Sequence, residues 1–453
     1  MQARRLKVLL VNPSWDGLVS RKGRRFNRAW MPLDLLNCAA ILEQDGVGVS
    51  LIDARAVSIP LSAIAEAAAQ HDLVFVTSSP IDRWQCPNLD LAPFLAVTGL
   101  VERDKLYVMG AHGTVAPEEL LEMTGARAVI RGEPELTVQA LCRGDDPSEA
   151  PGVTWRSDGT VRNNPEGPAL DLTALPMPAF RLLDLRHYRY EILGGRFALL
   201  ETTRGCHYRC HFCLLKMYGK GYRRKDPDQV IREVAYLVRE AGARTGYFID
   251  LEFTANRDYV GQVCERLASA DLPFEWACQT RADYVDGPLL NLMKRAGCRL
   301  IHFGVESGSA KVLAATNKRI TLEQIERGVA ETQRAGIDQA CFFMFGFPGE
   351  TQADMDATIA FAKRLNPTYA SFHAVSPYRG TALFEMSGSR ELFPEVFDRE
   401  HDAAFLRGVV NRAFHEFYLR PAILWSRLRR MDPGLWRRQA ALFMDFVRPA
   451  LFG

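Results

Sequence analysis

The chain has 453 residues, which at about 150 residues per domain leaves room for about three domains or modules. Hydrophobic residues make up 47% and charged residues 24%, the balance of a folded chain rather than a disordered or low-complexity one. Lys plus Arg (56) nearly offsets Asp plus Glu (54), so nucleic-acid binding driven by bulk charge is excluded.

No run of about 18 apolar residues occurs, so no transmembrane segment is expected. The basic-then-apolar start, up to Val11, ends at Pro13 with no small-residue cleavage site. It reads as a first buried strand rather than a signal peptide. Seven of the ten cysteines are scattered and three are clustered, unlike a secreted disulfide scaffold, which places the chain in a reducing cytoplasm.

In chain order, Lys7–Asn12, Val49–Asp53, Leu73–Thr77, Lys105–Met109 and Ala128–Arg131 read as strands, with helices at Leu33–Gln44 and Ile59–Gln70. This alternation predicts an α/β domain over residues 1–143, a doubly wound parallel sheet. Its ligand rim would be the loops after the strands: Asn12-Pro13-Ser14, Thr77-Ser78-Ser79-Pro80 and Gly110-Ala111-His112-Gly113. Plain turn-making is an equal account of those residues. Arg21, Lys22, Arg24, Arg25 and Arg28 form a basic arm, read as a solvated loop or as an anion-binding segment.

Residues 144–190 are Pro-rich and read as a linker, with a short hairpin around Asp158-Gly159. A second series follows over residues 191–390. Its strands are Phe197–Thr202, Gly246–Asp250, Phe274–Gln279, Leu300–Val305, Ala340–Phe345 and Thr368–Ala374. Helices read at Asp228–Ala241, opened by Asp228, at Arg257–Ala270, Gly287–Ala296 and Thr351–Leu365. Another, Thr321–Ala335, carries a Thr321/Gln324 capping box. Six units are too few for a closed eight-stranded barrel and predict a partial (β/α)6 barrel.

Residues 391–453 read as a helical region. Within 404–453 stand nine Arg and three acids, and Trp436, Ala440, Phe443 and Val447 follow Asp432-Pro433 at helical spacing. A packed helical cap is the plain reading. An Arg–aromatic surface for peripheral membrane contact or a large apolar substrate is the sharper one.

The chemistry concentrates in Arg204-Gly205-Cys206-His207-Tyr208-Arg209-Cys210-His211-Phe212-Cys213. Three thiolates in one short loop can hold three irons of a cubane cluster and leave the fourth open for a substrate or cofactor. The alternative is a zinc site completed by His207 or His211. Zinc sites usually bring their ligands as two separated pairs, and no second Cys pair exists here.

Cys206-x3-Cys210-x2-Cys213, with Phe212 before the last Cys, resembles the signature of radical S-adenosylmethionine (SAM) enzymes. The chain resembles their cobalamin-binding subgroup, which includes the anaerobic Mg-protoporphyrin ester cyclase and C-methyltransferases. In the first domain the likeness rests on Asn12-Pro13, Met31 to Leu36, Gly110-Ala111-His112 and Arg131-Gly132-Glu133-Pro134-Glu135. It also covers Leu175 to Ala179, Leu214 to Val260 and Pro377 to Thr381, and so nearly the whole chain.

The resemblance implies a 4Fe-4S cluster on Cys206, Cys210 and Cys213, a 5′-deoxyadenosyl radical made from SAM, cobalamin, and methylation of an unactivated carbon. Radical cyclisation or rearrangement is the alternative, and a non-catalytic corrinoid-binding module a third. Phe212 is implied at the SAM site. So are Asp250 and Glu252 at the methionine amine, Arg281 at the carboxylate, Glu306 at the ribose or amine, and Gly346 beside the adenine. For each acid or Arg the plain alternative is a surface salt bridge. Ser14, Thr77, Ser78, Ser79, Gly110, His112, Gly132 and Glu133 are implied for cobalamin. The Asp-x-His-x-x-Gly motif that supplies a lower cobalt ligand in some cobalamin proteins is absent. The implied partners are a small-molecule substrate and an electron donor such as flavodoxin or ferredoxin, with no nucleic acid.

Overall fold

The computed structural model describes residues 5–14, 29–219, 221–397, 401–421 and 423. The basic arm at Arg21–Arg28 and the expected C-terminal helix around Trp436 lie outside the described residues.

Two sheets organise the chain. The first has the order β2-β1-β3-β4-β5-β6-β7. Its strands are β1 (Lys7–Asn12), β2 (Gly48–Asp53), β3 (Leu73–Thr77), β4 (Leu106–Met109), β5 (Ala128–Ile130), β6 (Val153–Ser157) and β7 (Thr160–Asn163). The first five pair in parallel. Val8 to Val11, Val74 to Val76 and Leu106 to Met109 are all buried, because helices cover both faces. The order 2-1-3-4-5 reverses direction between β1 and β3, and ligands of open α/β sheets sit at such a switch point. Asn12-Pro13-Ser14 and Thr77-Ser78-Ser79 end the two strands that flank it.

The hairpin read as part of the linker is the edge of this sheet. β6 pairs antiparallel with β5, Ile130 opposite Val153, and with β7, Ser157 opposite Thr160. Asp158 and Gly159 both have positive φ, as a two-residue hairpin turn of the right twist requires.

The first domain's helices are α1 (Leu33–Gln44), α2 (Leu61–Ala69), α3 (Ala92–Thr98), α4 (Ala111–Val115), α5 (Pro117–Thr124) and α6 (Glu135–Arg143). Sequence patterning missed α3 to α6, which span only two turns or so and carry little periodicity. One of them, α4, occupies what was expected to be the Gly-Ala-His-Gly loop.

The second sheet is parallel throughout, in the order β10-β13-β14-β15-β16-β17. Two short ribbons attend it: β8 (Arg189–Tyr190) with β9 (Gly194–Gly195), and β11 (Thr203–Arg204) with β12 (Arg223–Arg224). The main strands are β10 (Phe197–Leu200), β13 (Thr245–Phe248), β14 (Glu275–Thr280), β15 (Cys298–Glu306), β16 (Asp338–Phe345) and β17 (Tyr369–Ala374). Strands in sequence order, with no seventh or eighth partner among the described residues, make an open six-stranded half-barrel.

Its helices are α7 (Pro227–Arg239), α8 (Arg257–Ser269), α9 (Gly287–Arg295), α10 (Ala310–Ala315), α11 (Leu322–Arg334), α12 (Gln352–Leu365), α13 (Ala382–Ser387) and α14 (Ala403–Tyr418). The Thr321/Gln324 capping box forms as the sequence predicts. The start of α7 is corrected: Asp226, not Asp228, is the cap, accepting from Asp228 N at 2.8 Å, and Pro227 takes the first helical position that suits its fixed φ. Among the described residues no helix is long and apolar enough to cross a membrane.

The two sheets are joined along α1, whose residues Leu33 to Leu42 are all buried. Leu33 and Leu36 pack into the barrel core, while Leu35, Cys38 and Ala39 pack into the first-domain core. A helix buried on every side must satisfy its polar residues internally. Asn37 donates to Glu201 at 3.0 Å, and Asp34 accepts from Ile81 N at 3.2 Å.

Candidate functional site

The site begins where β10 ends. Gly205 has φ +96, and a Cβ there would lie 2.0 Å from Gly221 O, so only glycine lets the chain turn into the cysteine loop beside the β11–β12 ribbon. Arg204, just ahead of it, is buried among carboxylates: Glu135 and Glu201 at 2.9 Å and Glu133 at 3.2 Å. Glu201 belongs to the barrel, whereas Glu133 and Glu135 follow β5 of the first sheet. Arg223 adds a second cation on Glu133 at 2.7 Å. Burial and the neighbouring carboxylates push the Glu135 carboxyl above its ordinary value despite Arg204. Arg204 and Lys225 hold Glu201 below its own despite burial.

The loop itself docks on the segment Ala315–Arg319. His211 N donates to Thr316 O at 3.0 Å, His211 Nδ1 lies 2.9 Å from Ala315 O, and Asn317 Nδ2 donates to Arg209 O at 2.9 Å. Asn317 and Arg319 both take positive φ, a costly conformation for non-glycine residues held here by those bonds.

Cys206, Cys210 and Cys213 are free thiols, each partly accessible. They stand close enough that the charge of Cys206 and Cys210 raises the Cys213 thiol, after burial, which raises it most. Thiols so placed resist ionising alone and need a bound cation to become thiolates. Lys318 and Arg281 supply positive charge beside Cys210. Among the described residues no three His, Cys, Asp or Glu converge on a site for one metal ion. Thiols that each take a different iron of a cubane stand farther apart than thiols sharing one tetrahedral ion. The donor set fits three corners of an iron–sulfur cubane.

The residues assigned to SAM gather at the carboxyl ends of β13 to β16, but most are committed inside the protein. Asp250 accepts from Thr202 N (3.1 Å), Thr202 Oγ1 (2.8 Å) and Thr203 N, pinning the turn before the cysteine loop. Burial raises it to about 6. Glu252 accepts from Arg281 N at 2.9 Å and from Thr280 Oγ1, and burial raises it to about 7. Arg281 holds Asp283 through Nε and Nη2, both at 2.9 Å, and donates to Lys318 O at 2.6 Å and Arg319 O at 3.0 Å. It also lies 3.8 Å over the Tyr208 ring. Bidentate capture of a carboxylate by Arg281 would therefore require it to release Asp283.

Glu306 has φ +66 at a bulge of β15 and pairs with Lys318 Nζ at 2.5 Å. Gly304 leaves room for that pair. Its Cβ would lie 2.3 Å from Glu306 Oε1 and 2.7 Å from Lys318 Nζ. Phe212 packs edge-on to Phe347 at 5.8 Å. Gly346 has φ +95 and abuts Leu406 of α14, where a Cβ would come within 2.7 Å.

Sequence reasoning missed two groups here. Lys318 is a buried lysine in a loop with no periodic pattern. Glu350 accepts from Gly346 N at 2.7 Å and Phe347 N at 3.1 Å, leaves Oε1 buried without a partner, and is raised to about 7 by burial. The signal for Glu350 was an acid one residue past the Gly346-to-Gly349 turn.

On the first sheet's rim, Thr77, Ser78 and Ser79 are fully buried and Ser14 is half-buried. Ser79 N donates to Thr77 Oγ1 at 3.2 Å, whereas Ser78 Oγ is buried with no partner among the described residues. Gly110 has φ +106, and a Cβ would lie 2.8 Å from both Ser78 Oγ and Ser79 N. Gly132 donates to Thr114 Oγ1 at 2.8 Å and faces open space.

His112 and Glu133 differ from expectation. The His112 ring is fully buried in α4, with Nε2 2.7 Å from Asn88 O and its face against the edge of Phe393. Burial lowers it to about 4, so the ring is neutral, with Nε2 bonded and Nδ1 buried without a hydrogen-bond partner among the described residues. Glu133 is held by Arg204 and Arg223. Both side chains serve the structure around the rim.

The two rims adjoin each other. Thr114 of α4 donates to Met217 Sδ at 2.8 Å, just past the cysteine loop. Trp84, after β3, meets Tyr218 edge-on at 5.4 Å and receives Arg204 over its ring. Arg379, beyond β17, pairs with Glu119 of α5.

Comparison with known proteins agrees with this geometry. Residues 200–362 match the Radical SAM superfamily model. A methyltransferase of Pyrococcus horikoshii, itself uncharacterized, is 29% identical over 441 residues, covering 92% of this chain and 94% of the relative. The anaerobic magnesium-protoporphyrin IX monomethyl ester cyclase of Rubrivivax gelatinosus is 27% identical, covering 87% of this chain and 72% of its own. The cytidylyl-2-hydroxyethylphosphonate methyltransferase of Streptomyces wedmorensis is 26% identical, covering 89% and 86%. Among solved structures, OxsB, a cobalamin-dependent SAM radical enzyme with aqua-cobalamin and SAM bound, superposes with TM-score 0.76 at 17% identity, over 97% of this chain and 72% of that one. The methyltransferase TsrM from Kitasatospora setae follows at TM-score 0.68 and 19% identity, over 85% and 77%. At these identities the two structures speak for the fold. The cysteine loop follows the first barrel strand, and residues 200–362, which span that barrel, carry a Radical SAM superfamily domain.

Proposed function

We propose that the protein is a cobalamin-dependent radical SAM methyltransferase that methylates an unactivated carbon of a small molecule. The observation that carries this is the contact between the two rims: the segment just past the cysteine loop packs on α4 and on the turn after β3. A radical generator and a methyl carrier must reach one substrate carbon, and adjoining rims would bring both to it.

In such enzymes a reduced 4Fe-4S cluster cleaves SAM to abstract a hydrogen, and the corrinoid delivers the methyl group. The chain's own part is binding and positioning. Cys206, Cys210 and Cys213 hold the cluster. Glu306 and Lys318 form a buried charge pair beside it, at hand for the amine and carboxylate of SAM. Gly346 and Glu350 form the backbone turn that would take the adenine. The unpartnered Ser78 hydroxyl and the Gly110 cradle would receive the corrinoid edge, with the His112 ring fully buried inside α4 and its Nε2 on Asn88 O.

Cyclisation or rearrangement on the same scaffold is the second reading, favoured by the cyclase among the relatives. Anaerobic reconstitution tests the proposal. Expected are about four irons per chain, lost on Cys210→Ala, and a corrinoid spectrum lost on Gly110→Ala with iron retained. Turnover should give S-adenosylhomocysteine together with 5′-deoxyadenosine. Iron without corrinoid, or 5′-deoxyadenosine without S-adenosylhomocysteine, would favour the second reading. No iron at all would overturn both.

A further inference from the structure

The ends of β1, β2 and β3 meet in a buried polar network. One carboxylate oxygen of Asp53, at the end of β2, accepts from Asn12 Nδ2 at 2.8 Å and from Arg55 N at 3.2 Å. The other accepts from the Tyr188 hydroxyl at 2.6 Å. From there the Arg55 side chain runs to the turn after β3, where its Nη1 donates to both oxygens of Asp82 at 2.9 and 3.0 Å. Since β1 stands between β2 and β3, Arg55 spans the switch point, where open α/β sheets take their ligands.

The Arg55 and Asp82 side chains are only 2% and 4% exposed. Yet Arg55 Nε and Nη2 are buried with no partner among the described residues, and so are Asn12 Oδ1 and Ser78 Oγ. Nε and Nη2 form the side-on fork of a guanidinium, two parallel N–H bonds suited to a carboxylate or a carbonyl. Elsewhere in this chain that fork is filled. Arg143 holds Asp45 with it at 2.7 and 2.9 Å, and Arg281 holds Asp283 at 2.9 Å. Buried polar atoms left unpaired on three neighbouring strand ends are costly, and one ligand can pair them together. The charges say which kind. Asp82 already neutralises Arg55, Arg83 Nε lies 3.7 Å from the same Asp82, and Asp53 stands beside them, so an anion gains little there. The unpaired atoms are also mixed: two donors on Arg55, an acceptor on Asn12 and a hydroxyl on Ser78. A primary carboxamide matches that set, its carbonyl on the fork and its NH2 on Asn12 Oδ1.

We infer that Asn12, Arg55 and Ser78 form a carboxamide subsite that seats one side-chain amide of the corrinoid. The inference rests on the corrinoid reading and deepens it. A corrin ring carries amide arms around its edge, and holding one of them fixes how the ring is turned in the site. An acid in place of that amide would have no N–H for Asn12 and would set a charge beside Asp82. The subsite therefore selects the fully amidated cofactor over one in which that arm is an acid, by leaving buried polar atoms unpaired in the wrong complex.

Equilibrium dialysis read by visible absorbance tests this, using iron-loaded, corrinoid-free protein. The probes are hydroxocobalamin and its monocarboxylic acids, each with one side-chain amide turned to an acid. Wild type should bind one of these acids about tenfold more weakly than hydroxocobalamin, and the others about equally well. Arg55→Met should weaken hydroxocobalamin about tenfold and close the gap to that one acid, which was never seated on the fork. Arg55→Met/Asp82→Asn, which strands no carboxylate, should do the same with iron content kept. Ser78→Ala, which removes a hydroxyl with no described bond, should show part of the loss. Equal binding of every acid by wild type, with no loss in the double variant, would leave the unpaired atoms to ordered water and overturn the inference. A loss in the double variant that falls equally on hydroxocobalamin and every acid would make Arg55 structural and overturn it too. So would an acid that binds more tightly than hydroxocobalamin, which would assign the fork to an anion. Wild-type protein that takes up iron but no corrinoid would instead overturn the corrinoid reading, and this inference with it.

Discussion

Arg204→Met tests whether a buried ion network sets the position of the cysteine loop. Arg204 is 1% exposed and faces Glu135 and Glu201, also 1% exposed, and Glu133 at 8%. Removing it leaves Glu133 with Arg223, Glu135 with a carboxyl that burial already pushes above its ordinary value, and Glu201 with the Asn37 amide and the more distant Lys225. The cost falls on the stranded Glu201 and Glu135, and removing one partner of a buried pair costs about 3–5 kcal/mol. Glu201 is held below its ordinary pKa in the folded protein. A depressed folded pKa gives stability that is present above the unfolded value, 4.5, and lost as pH falls through the folded one. The difference between wild type and variant should thus hold from pH 8 down to about pH 4.5 and shrink only below it. Anaerobic urea unfolding read by fluorescence measures it. A cycle with Glu201→Gln should recover about 1.5 kcal/mol or more of the loss, because the stranded charge goes too. A loss below about 1 kcal/mol at pH 8, or no coupling in the cycle, would refute the reasoning.

Two further outcomes follow from single positions. Burial raises Asp34 from 3.8 to about 8, so the folded state keeps a proton that the unfolded chain has released, and stability falls as pH rises from about 4 toward 8. Asp34→Asn keeps an acceptor for Ile81 N and should remove that slope. It should gain up to about 4 kcal/mol at pH 8 over pH 5, by unfolding at each pH, and an unchanged slope counts against it. Gly304→Ala places a methyl against the free ends of Glu306 and Lys318. Folding and iron content should survive while calorimetric SAM affinity drops about tenfold, and an unaltered affinity would remove that pair from the SAM site.

How much of this was readable in advance depended on whether the cause was local. Strands such as Val8 to Val11 and Val74 to Val76 are continuous apolar runs because both faces are covered, and they were found almost to the residue. Asp158-Gly159 marked its turn through backbone preference alone. The hairpin's membership of the first sheet was not visible, because pairing of β6 with β5 is a tertiary choice. The cysteine loop was legible from spacing. What surrounds it was not: the Arg204–Glu133 pair spans 71 positions, and nothing near Lys318 signals that Glu306 waits for it at a positive φ. His112 illustrates the converse, a residue conspicuous in sequence whose ring is fully buried, with Nε2 on Asn88 O.

The helix α1, wedged between the two cores, has a mechanical consequence. Its Leu33 and Leu36 belong to one core and its Leu35 and Cys38 to the other, with Asn37 spanning toward both Glu135 and Glu201. A hinge opening between the sheets would have to tear one of those cores from this helix and desolvate nothing in return. The two rims therefore cannot part like a jaw, and α1 couples the two sheets into one frame.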